Sequence, residues 1–256
     1  MKVASWNVNS LRVRLPQVLR WLQDERPDVL GLQETKLQNP DFPRDELETA
    51  GYRLLFNGQK TYNGVALLSR LEPADVVTDI PGLEDDPQRR IVGATIGDIR
   101  VFNLYVPNGQ AVGSEKYEYK LRWLAAVKNF LAAELAHSPK MLVMGDFNIA
   151  PEDRDVYDPQ AWEGQVLVSD AERTALREIM ALGLQDCFRL FPQEDNYFSW
   201  WDYRAAAFPR NRGLRIDLIL ASARMAEQCS AAAIDKEPRE WDRPSDHAPV
   251  TADFQA

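Results

Sequence analysis

Residues 141–148, MLVMGDFN, run four apolar residues and a glycine straight into Asp146, Phe147 and Asn148. The pattern recurs along the chain. The run 2–8 sets Ala4, Trp6 and Val8 on one face and Asn7 on the other. The run 28–33, DVLGLQ, ends at Glu34, and 99–106, IRVFNLYV, delivers Tyr105 ahead of Pro107-Asn108-Gly109. Asp217 lies inside RIDLIL at 215–221, and Ser245-Asp246-His247 precede the last apolar run, 248–254. An unpartnered buried carboxylate is expensive. So many polar groups on apolar runs therefore point to one shared site rather than to separate ion pairs. Together they offer carboxylates (Glu34, Asp146, Asp217, Asp246), amides (Asn7, Asn108, Asn148), a phenol and an imidazole. Such a set suits a hard divalent cation, Mg²⁺ above all, because Mg²⁺ takes oxygen ligands and needs only one or two carboxylates. It also suits a phosphate ester, whose transition state needs charge stabilised on its non-bridging oxygens and a positioned water. Zinc is poorly served: there are two histidines, and His137 sits beside Ser138-Pro139 at the end of a helical pattern.

Positioning these groups calls for strands, and strand-like runs recur at 2–8, 28–33, 52–56, 64–69, 91–96, 99–106, 140–147, 215–221 and 248–254. Helical spacing appears at 15–25, at 114–136 and at 169–182, the last closed by Gly183. In 114–136, Ser114 is the expected N-cap, and Leu121, Leu124, Val127, Phe130, Leu131 and Leu135 form the expected apolar face. Short turns join 52–56 to 64–69 and 91–96 to 99–106, as in antiparallel hairpins. Without strict βαβα alternation, a sandwich of mixed sheets flanked by helices fits better than a doubly wound sheet.

The chain of 256 residues is 45% apolar and 27% charged, an ordinary globular composition, and no linker or repeat divides it. One domain spanning 1–256 is expected. A net charge of −9 excludes a blanket basic coat for nucleic acid but not a local one. Cys187 and Cys229 sit in no CxxC or His-rich context and read as buried free thiols of a reducing compartment. The opening MKVASWNVNS has no signal-peptide core, and no apolar run reaches membrane-spanning length. A cytoplasmic protein that engages no membrane is expected.

The segments WNVNS, LQETK, NLYVPNG, GDFNIAP, RGLRIDLIL and PSDHAPV stand in an order that resembles the exonuclease III family of AP endonucleases, within the DNase I-like endonuclease/exonuclease/phosphatase superfamily. GDFN and SDH mark the superfamily; WNVNSLR, QETK and FSWWDYR with NRGLRID are more specific. The resemblance implies a four-layer α/β sandwich, two mixed sheets packed face to face and flanked by helices. It implies a Mg²⁺-dependent DNA-repair phosphodiesterase, with Mn²⁺ able to stand in. Such an enzyme cleaves 5′ to abasic sites, clears 3′ blocking groups and has scope for 3′→5′ exonuclease action on double-stranded DNA. A monomer is expected. The alternative is a superfamily phosphodiesterase or phosphatase acting on a non-DNA ester.

By the same resemblance, Glu34 is the principal metal ligand, with Asn7 and Asp246 near the ion and Asp146, Asn148 and His247 in reach of it. Asp146 handles protons, either deprotonating the attacking water or protonating the leaving oxygen. Asn148 holds a phosphate oxygen or steadies the metal, and an Asx-turn with Asp146 is compatible with either. His247 bonds the scissile phosphate while Asp217 holds its other nitrogen, the base–orienter logic of triads. Tyr105 contacts the phosphate or the leaving group. DNA is expected at Asn108 and at 198–215, where Arg204, Arg210, Arg212 and Arg215 form a basic patch. Trp200 lines a pocket for a flipped, base-free sugar, and Trp201 belongs to the core. Arg12 and Arg14 are phosphate contacts or solvated loop charges. Asn9 stands where eukaryotic relatives carry a second acid, and Leu214 where they carry tryptophan.

Overall fold

A computed structural model describes residues 1–255. Its strands are β1 (Lys2–Asn7), β2 (Val29–Gln33), β3 (Arg53–Asn57), β4 (Val65–Ser69), β5 (Pro73–Val77) and β6 (Ile91–Ile96). They continue with β7 (Ile99–Tyr105), β8 (Met141–Asp146), β9 (Leu184–Asp186), β10 (Asp217–Ser222), β11 (Cys229–Ile234) and β12 (Val250–Phe254). The main helices are α1 (Leu11–Glu25), α2 (Arg44–Thr49), α3 (Glu115–His137), α4 (Pro159–Trp162), α5 (Asp170–Met180) and α6 (Ala223–Ala226). No helix among the described residues is long and apolar enough to cross a membrane.

Two six-stranded sheets form, in the orders β11-β12-β1-β2-β4-β3 and β5-β6-β7-β8-β10-β9. Both are mixed: β1 runs parallel to β2 and β7 parallel to β8, and the remaining neighbours are antiparallel. Alternate residues of each central strand enter two apolar layers. Val3, Val29, Leu67, Val92, Val101, Leu142 and Met144 meet between the sheets. Ala4, Trp6, Leu30 and Leu32 face outward onto Val18, Trp21 and Leu22 of α1. On the far side Phe102, Val143 and Leu220 pack on Trp123, Val127 and Leu131 of α3 and Leu176 and Ile179 of α5. Each fully buried aliphatic side chain contributes about 1.5–3 kcal/mol, so strands apolar on both faces demand cover on both. The result is the expected four-layer sandwich.

The nine strand runs read from sequence all appear. β5, β9 and β11 were not anticipated, and they are edge strands that end the sheets. α1 begins at Leu11 rather than 15, with Pro16 inside it. Tertiary bonds set that start, since Ser10 N and Leu11 N donate to Glu34 O (2.7 Å) and Thr35 O (3.1 Å). In α3, Lys120 takes the buried place given to Leu121, which is half-buried, as is Leu135. Ser114 caps α3 by accepting from Tyr117 N (3.2 Å). Cys187 is buried as expected, whereas Cys229 is half-buried on edge strand β11, and both thiols are free.

Candidate active site

β1, β7 and β8 end and β10 begins at one end of the sandwich, and the segments that follow β2 and precede β12 reach the same place. Gly145 lets β8 arrive there. Its φ is +148°, and a Cβ would lie 1.9 Å from Leu104 O of β7. Only glycine permits that approach. Beyond it, Asn148 N donates to Asp146 Oδ1 (2.8 Å), the Asx-turn anticipated from the sequence. Asn9, Glu34, Lys36 and Asn148 all have left-handed backbones, with φ of 43°, 50°, 55° and 49°. For Glu34 and Lys36 that conformation costs about 1–3 kcal/mol each. Strain of this kind gathers where a fixed side-chain direction matters.

Asn7 joins the sheets: its Nδ2 donates to Glu34 Oε1 (2.9 Å) and to Asp146 Oδ2 (2.8 Å). One ligand atom from each of Glu34, Asp146 and His247 can be chosen so that all lie within 4.8 Å of one another, a spacing that could hold a metal ion. His247 Nε2 is 3.8 Å from Asp146 Oδ2, and its Nδ1 lies 2.9 and 3.1 Å from the two oxygens of Asp217. Ser199 Oγ fixes Asp217 by donating to Oδ2 at 2.7 Å, and itself accepts from Ile216 N and Asp217 N, both at 3.0 Å. Asp246 accepts from Asn9 Nδ2 (2.9 Å) and Trp200 Nε1 (3.0 Å). Lys36 Nζ lies 3.0 Å from Glu34 Oε2 and donates to Asn9 Oδ1 (2.5 Å). Asn148 Nδ2 donates to Val106 O (3.0 Å) and Asp146 Oδ2 (3.2 Å), while its Oδ1 accepts from Asn108 Nδ2 (3.2 Å).

Burial sets the electrostatics. It pushes the Asp146 carboxyl up to about 7, with the positive His247 opposing and Asp217 reinforcing the rise. Burial alone would lower His247, but the charges of Asp217 and Asp146 outweigh it and raise the imidazolium to about 10. Burial, then the Glu34 charge, keeps the Tyr105 phenol protonated well above its ordinary range. Against the pull of burial, His247 and the donors Asn9 and Trp200 hold Asp246 below the usual carboxylate range. The cluster thus offers a fixed cation at His247 and an acid–base group near neutrality at Asp146, the combination that proton transfer at neutral pH calls for.

The donor set fits a hard divalent cation: carboxylate and amide oxygens predominate, with a single imidazole. Asn7, Glu34, Tyr105, Asn108, Asp146, Asn148, Asp217, Asp246 and His247 belong to one connected cluster. The arginine segment needs correction. Arg215 is not a surface charge: it is 1% exposed, with Nε bonded to Asp155 (2.6 Å) and Nη2 to Asp186 (2.7 Å). It anchors the start of β10. Arg204 is exposed but gripped by Asp202 through Nε (2.9 Å) and Nη2 (2.6 Å). Arg210 and Arg212 are exposed on the excursion that Trp200 and Leu214 close by paired backbone bonds at 2.9 Å. Trp200 is half-buried beside His247, with ring centroids 6.5 Å apart, and Trp201 is fully buried. Arg14 is neither a loop charge nor free, for its guanidinium braces Asn9 O (2.5 Å) and Pro244 O (3.0 Å). Arg12 is exposed, 3.8 Å from Asp41. Sequence reasoning passed over Ser199, Lys36 and the indole of Trp6, which donates to His247 O (3.2 Å). Ser199 in FSWW and Asp217 in RID are joined only by the fold, and no local pattern links them.

Comparison with known proteins places this geometry. The model of the endonuclease/exonuclease/phosphatase family matches residues 4–247. The chain is 38% identical to exodeoxyribonuclease III of Haemophilus influenzae, over all of both proteins. Its fold superposes at a TM-score of 0.98 on a substituted form of the 3′ phosphatase NExo from Neisseria bound to a product DNA hairpin, with 47% identity and full coverage of both chains. An AP endonuclease from Archaeoglobus fulgidus matches at 0.95, with 38% identity and full coverage of both.

Proposed function

The chain belongs to the endonuclease/exonuclease/phosphatase family, and on that premise we propose that it is a DNA-repair nuclease that hydrolyses phosphodiester bonds with the help of Mg²⁺. The observation that carries this reading is the meeting of Glu34, Asp146 and His247 within 4.8 Å, with Asp217 on the far nitrogen of the imidazole. Glu34 would be the principal ligand, with Asn7, Asp146, Asn148 and Asp246 in reach of the ion; His247, once protonated, would stand beside the ion without ligating it. A bound ion would supply charge for the non-bridging phosphate oxygens. The other steps fall to the chain's own residues. Asp146, with its raised pKa, takes the proton of the attacking water or returns it to the leaving oxygen. The His247 imidazolium, held by Asp217, donates Nε2–H to the scissile phosphate. Tyr105, kept protonated, and the amides of Asn108 and Asn148 complete the set of donors around it.

The substrate is double-stranded DNA carrying an abasic site or a blocked 3′ end. Exposed Arg210 and Arg212, and Arg204 once released from Asp202, meet backbone phosphates. Trp200 offers its face to a base-free sugar. Mn²⁺ replaces Mg²⁺, because both accept an oxygen-rich shell. We also assign the protein to the cytoplasm as a monomer. The test is a set of duplexes with an internal abasic site, a 3′-phosphate or an unmodified 3′ end, incubated with Mg²⁺, Mn²⁺ or EDTA. Metal-dependent cleavage of at least one duplex is expected. A folded protein that leaves all of them intact while hydrolysing a small phosphate ester would move the reading to the non-DNA branch of the family.

A further inference from the structure

Behind the cluster lies a second pair of charges that the chemistry above does not use. Lys120 of α3 and Glu172 of α5 are both 0% exposed. Lys120 Nζ donates to Glu172 Oε1 (2.5 Å), to Asn148 O (2.7 Å) and to Asn108 O (3.1 Å). An ammonium has three protons, and these acceptors use all of them. Glu172 is equally saturated. Its oxygens accept from Leu167 N (3.0 Å), Ser169 N (3.2 Å) and Ser169 Oγ (2.5 Å), completing the capping box of α5. A buried ion pair is weak as a source of stability, since apolar residues of the same volume fold as well or better. Its placement is informative instead. The two carbonyls held by Lys120 belong to the residues that follow β7 and β8 and carry the amides of the site. Asn148 bonds Asp146 through both its N–H and its Nδ2, and Asn108 bonds Asn148. Gly109 leaves room for the lysine stem, for a Cβ there would lie 3.2 Å from Lys120 Cδ.

We propose that Lys120 is a positioning residue for hydrolysis, clamping the β7 and β8 exit loops by the Asn108 and Asn148 carbonyls so that Asn148 keeps its register on Asp146 and Asn108 its bond to Asn148. Glu172 is the counter-charge that offsets part of the cost of burying the ammonium, which the two carbonyls also hold. The inference rests on the nuclease reading for its rate measurement only. Asn148 reaches Asp146 through bonds of 2.8 and 3.2 Å, and loops freed to drift would lose them.

The experiment compares Lys120→Met, Glu172→Gln and the double variant, each checked for folding by circular dichroism. Both single changes leave one buried partner unmatched, so both lower Tm. Lys120→Met removes the clamp; Glu172→Gln leaves the ammonium on both carbonyls. At a temperature where all are folded, Lys120→Met should lose about 10- to 100-fold in kcat on a cleavable duplex. Its KM should stay within about threefold. Amide hydrogen exchange at 108–110 and 147–149 should accelerate in Lys120→Met and not in Glu172→Gln, whose kcat should hold within about threefold. The double variant should recover Tm relative to Lys120→Met and remain slow. Should Lys120→Met fail to fold, the double variant carries the same comparison against wild type. Equal losses of kcat in the two single variants, in step with Tm, or a double variant with wild-type kcat and exchange, would overturn the clamp. If wild-type protein cleaves no DNA, the nuclease reading fails, and the exchange pattern alone then decides the clamp.

Discussion

Replacing Asp217 with asparagine changes one charge and almost no volume at a position 1% exposed. The carboxylate now accepts from Ser199 Oγ at 2.7 Å and faces His247 Nδ1 at 2.9 and 3.1 Å. Asparagine can keep the serine bond through its carbonyl, which still faces Nδ1, and sets its NH₂ at the place of the other oxygen. The amide carries no charge, and the Asp217 charge is the largest influence holding the buried imidazole protonated, so the ring becomes neutral. The site then loses the fixed cation proposed to meet the phosphate. Loss of one preorganised donor of this kind costs about 10²- to 10³-fold in kcat. KM should change little, because the arginines proposed to meet DNA are untouched. Stability should fall by about 2 kcal/mol for the altered buried bond. For a chain of this size that is roughly 4–8 °C in Tm. The pH dependence has a definite sign. The folded pKa of His247 is raised from 6.5 to about 10, so its interaction stabilises the protein fully below pH 6.5 and is lost as pH rises through about 10. The Tm gap between wild type and Asp217→Asn should be widest below pH 6.5 and close toward pH 10. Scanning calorimetry in EDTA across that range, with cleavage rates in Mg²⁺, measures both effects. A gap independent of pH, together with unchanged kcat, would refute the assignment of a held imidazolium.

Arg210→Ala with Arg212→Ala should weaken duplex binding and lower the salt slope by about 1–2, while kcat at saturating DNA stays near wild type; filter binding across a salt series checks it. An unchanged slope would remove that excursion from the DNA interface. Gly145→Ala should destabilise the protein by more than about 3 kcal/mol or prevent folding, because its Cβ would lie 1.9 Å from Leu104 O of the adjacent strand. Urea unfolding of the soluble fraction reads this, and a loss below about 0.5 kcal/mol would mean that β7 and β8 do not approach so closely.

The central strands were legible in the sequence because they are apolar on both faces and bounded by turn residues. β5, β9 and β11 were not: β9 is only three residues long, and β5 and β11 share a physical reason. An edge strand need satisfy only one neighbour, so Pro73–Val77 and Cys229–Ile234 are largely exposed and carry little hydrophobic pattern. The convergence of Glu34, Asp146 and His247 could be read because each polar residue closes or adjoins an apolar run. Pairings made at long range could not. Arg215 shares its charge and its neighbourhood with Arg210 and Arg212, yet it is buried against Asp155 and Asp186 from segments distant in the chain. Lys120 falls among the apolar positions of α3, and only the fold reveals that Glu172 and two carbonyls await its ammonium.

At the centre of the account stands the proposed divalent-ion site where the two sheets end. Calorimetric titration of Mn²⁺ into metal-free wild-type protein and into Glu34→Gln tests this most directly. Wild type should bind the ion, and removal of the Glu34 charge should weaken the affinity by at least about tenfold while the fold persists. Equal binding by the two proteins, or none by either, would contradict it.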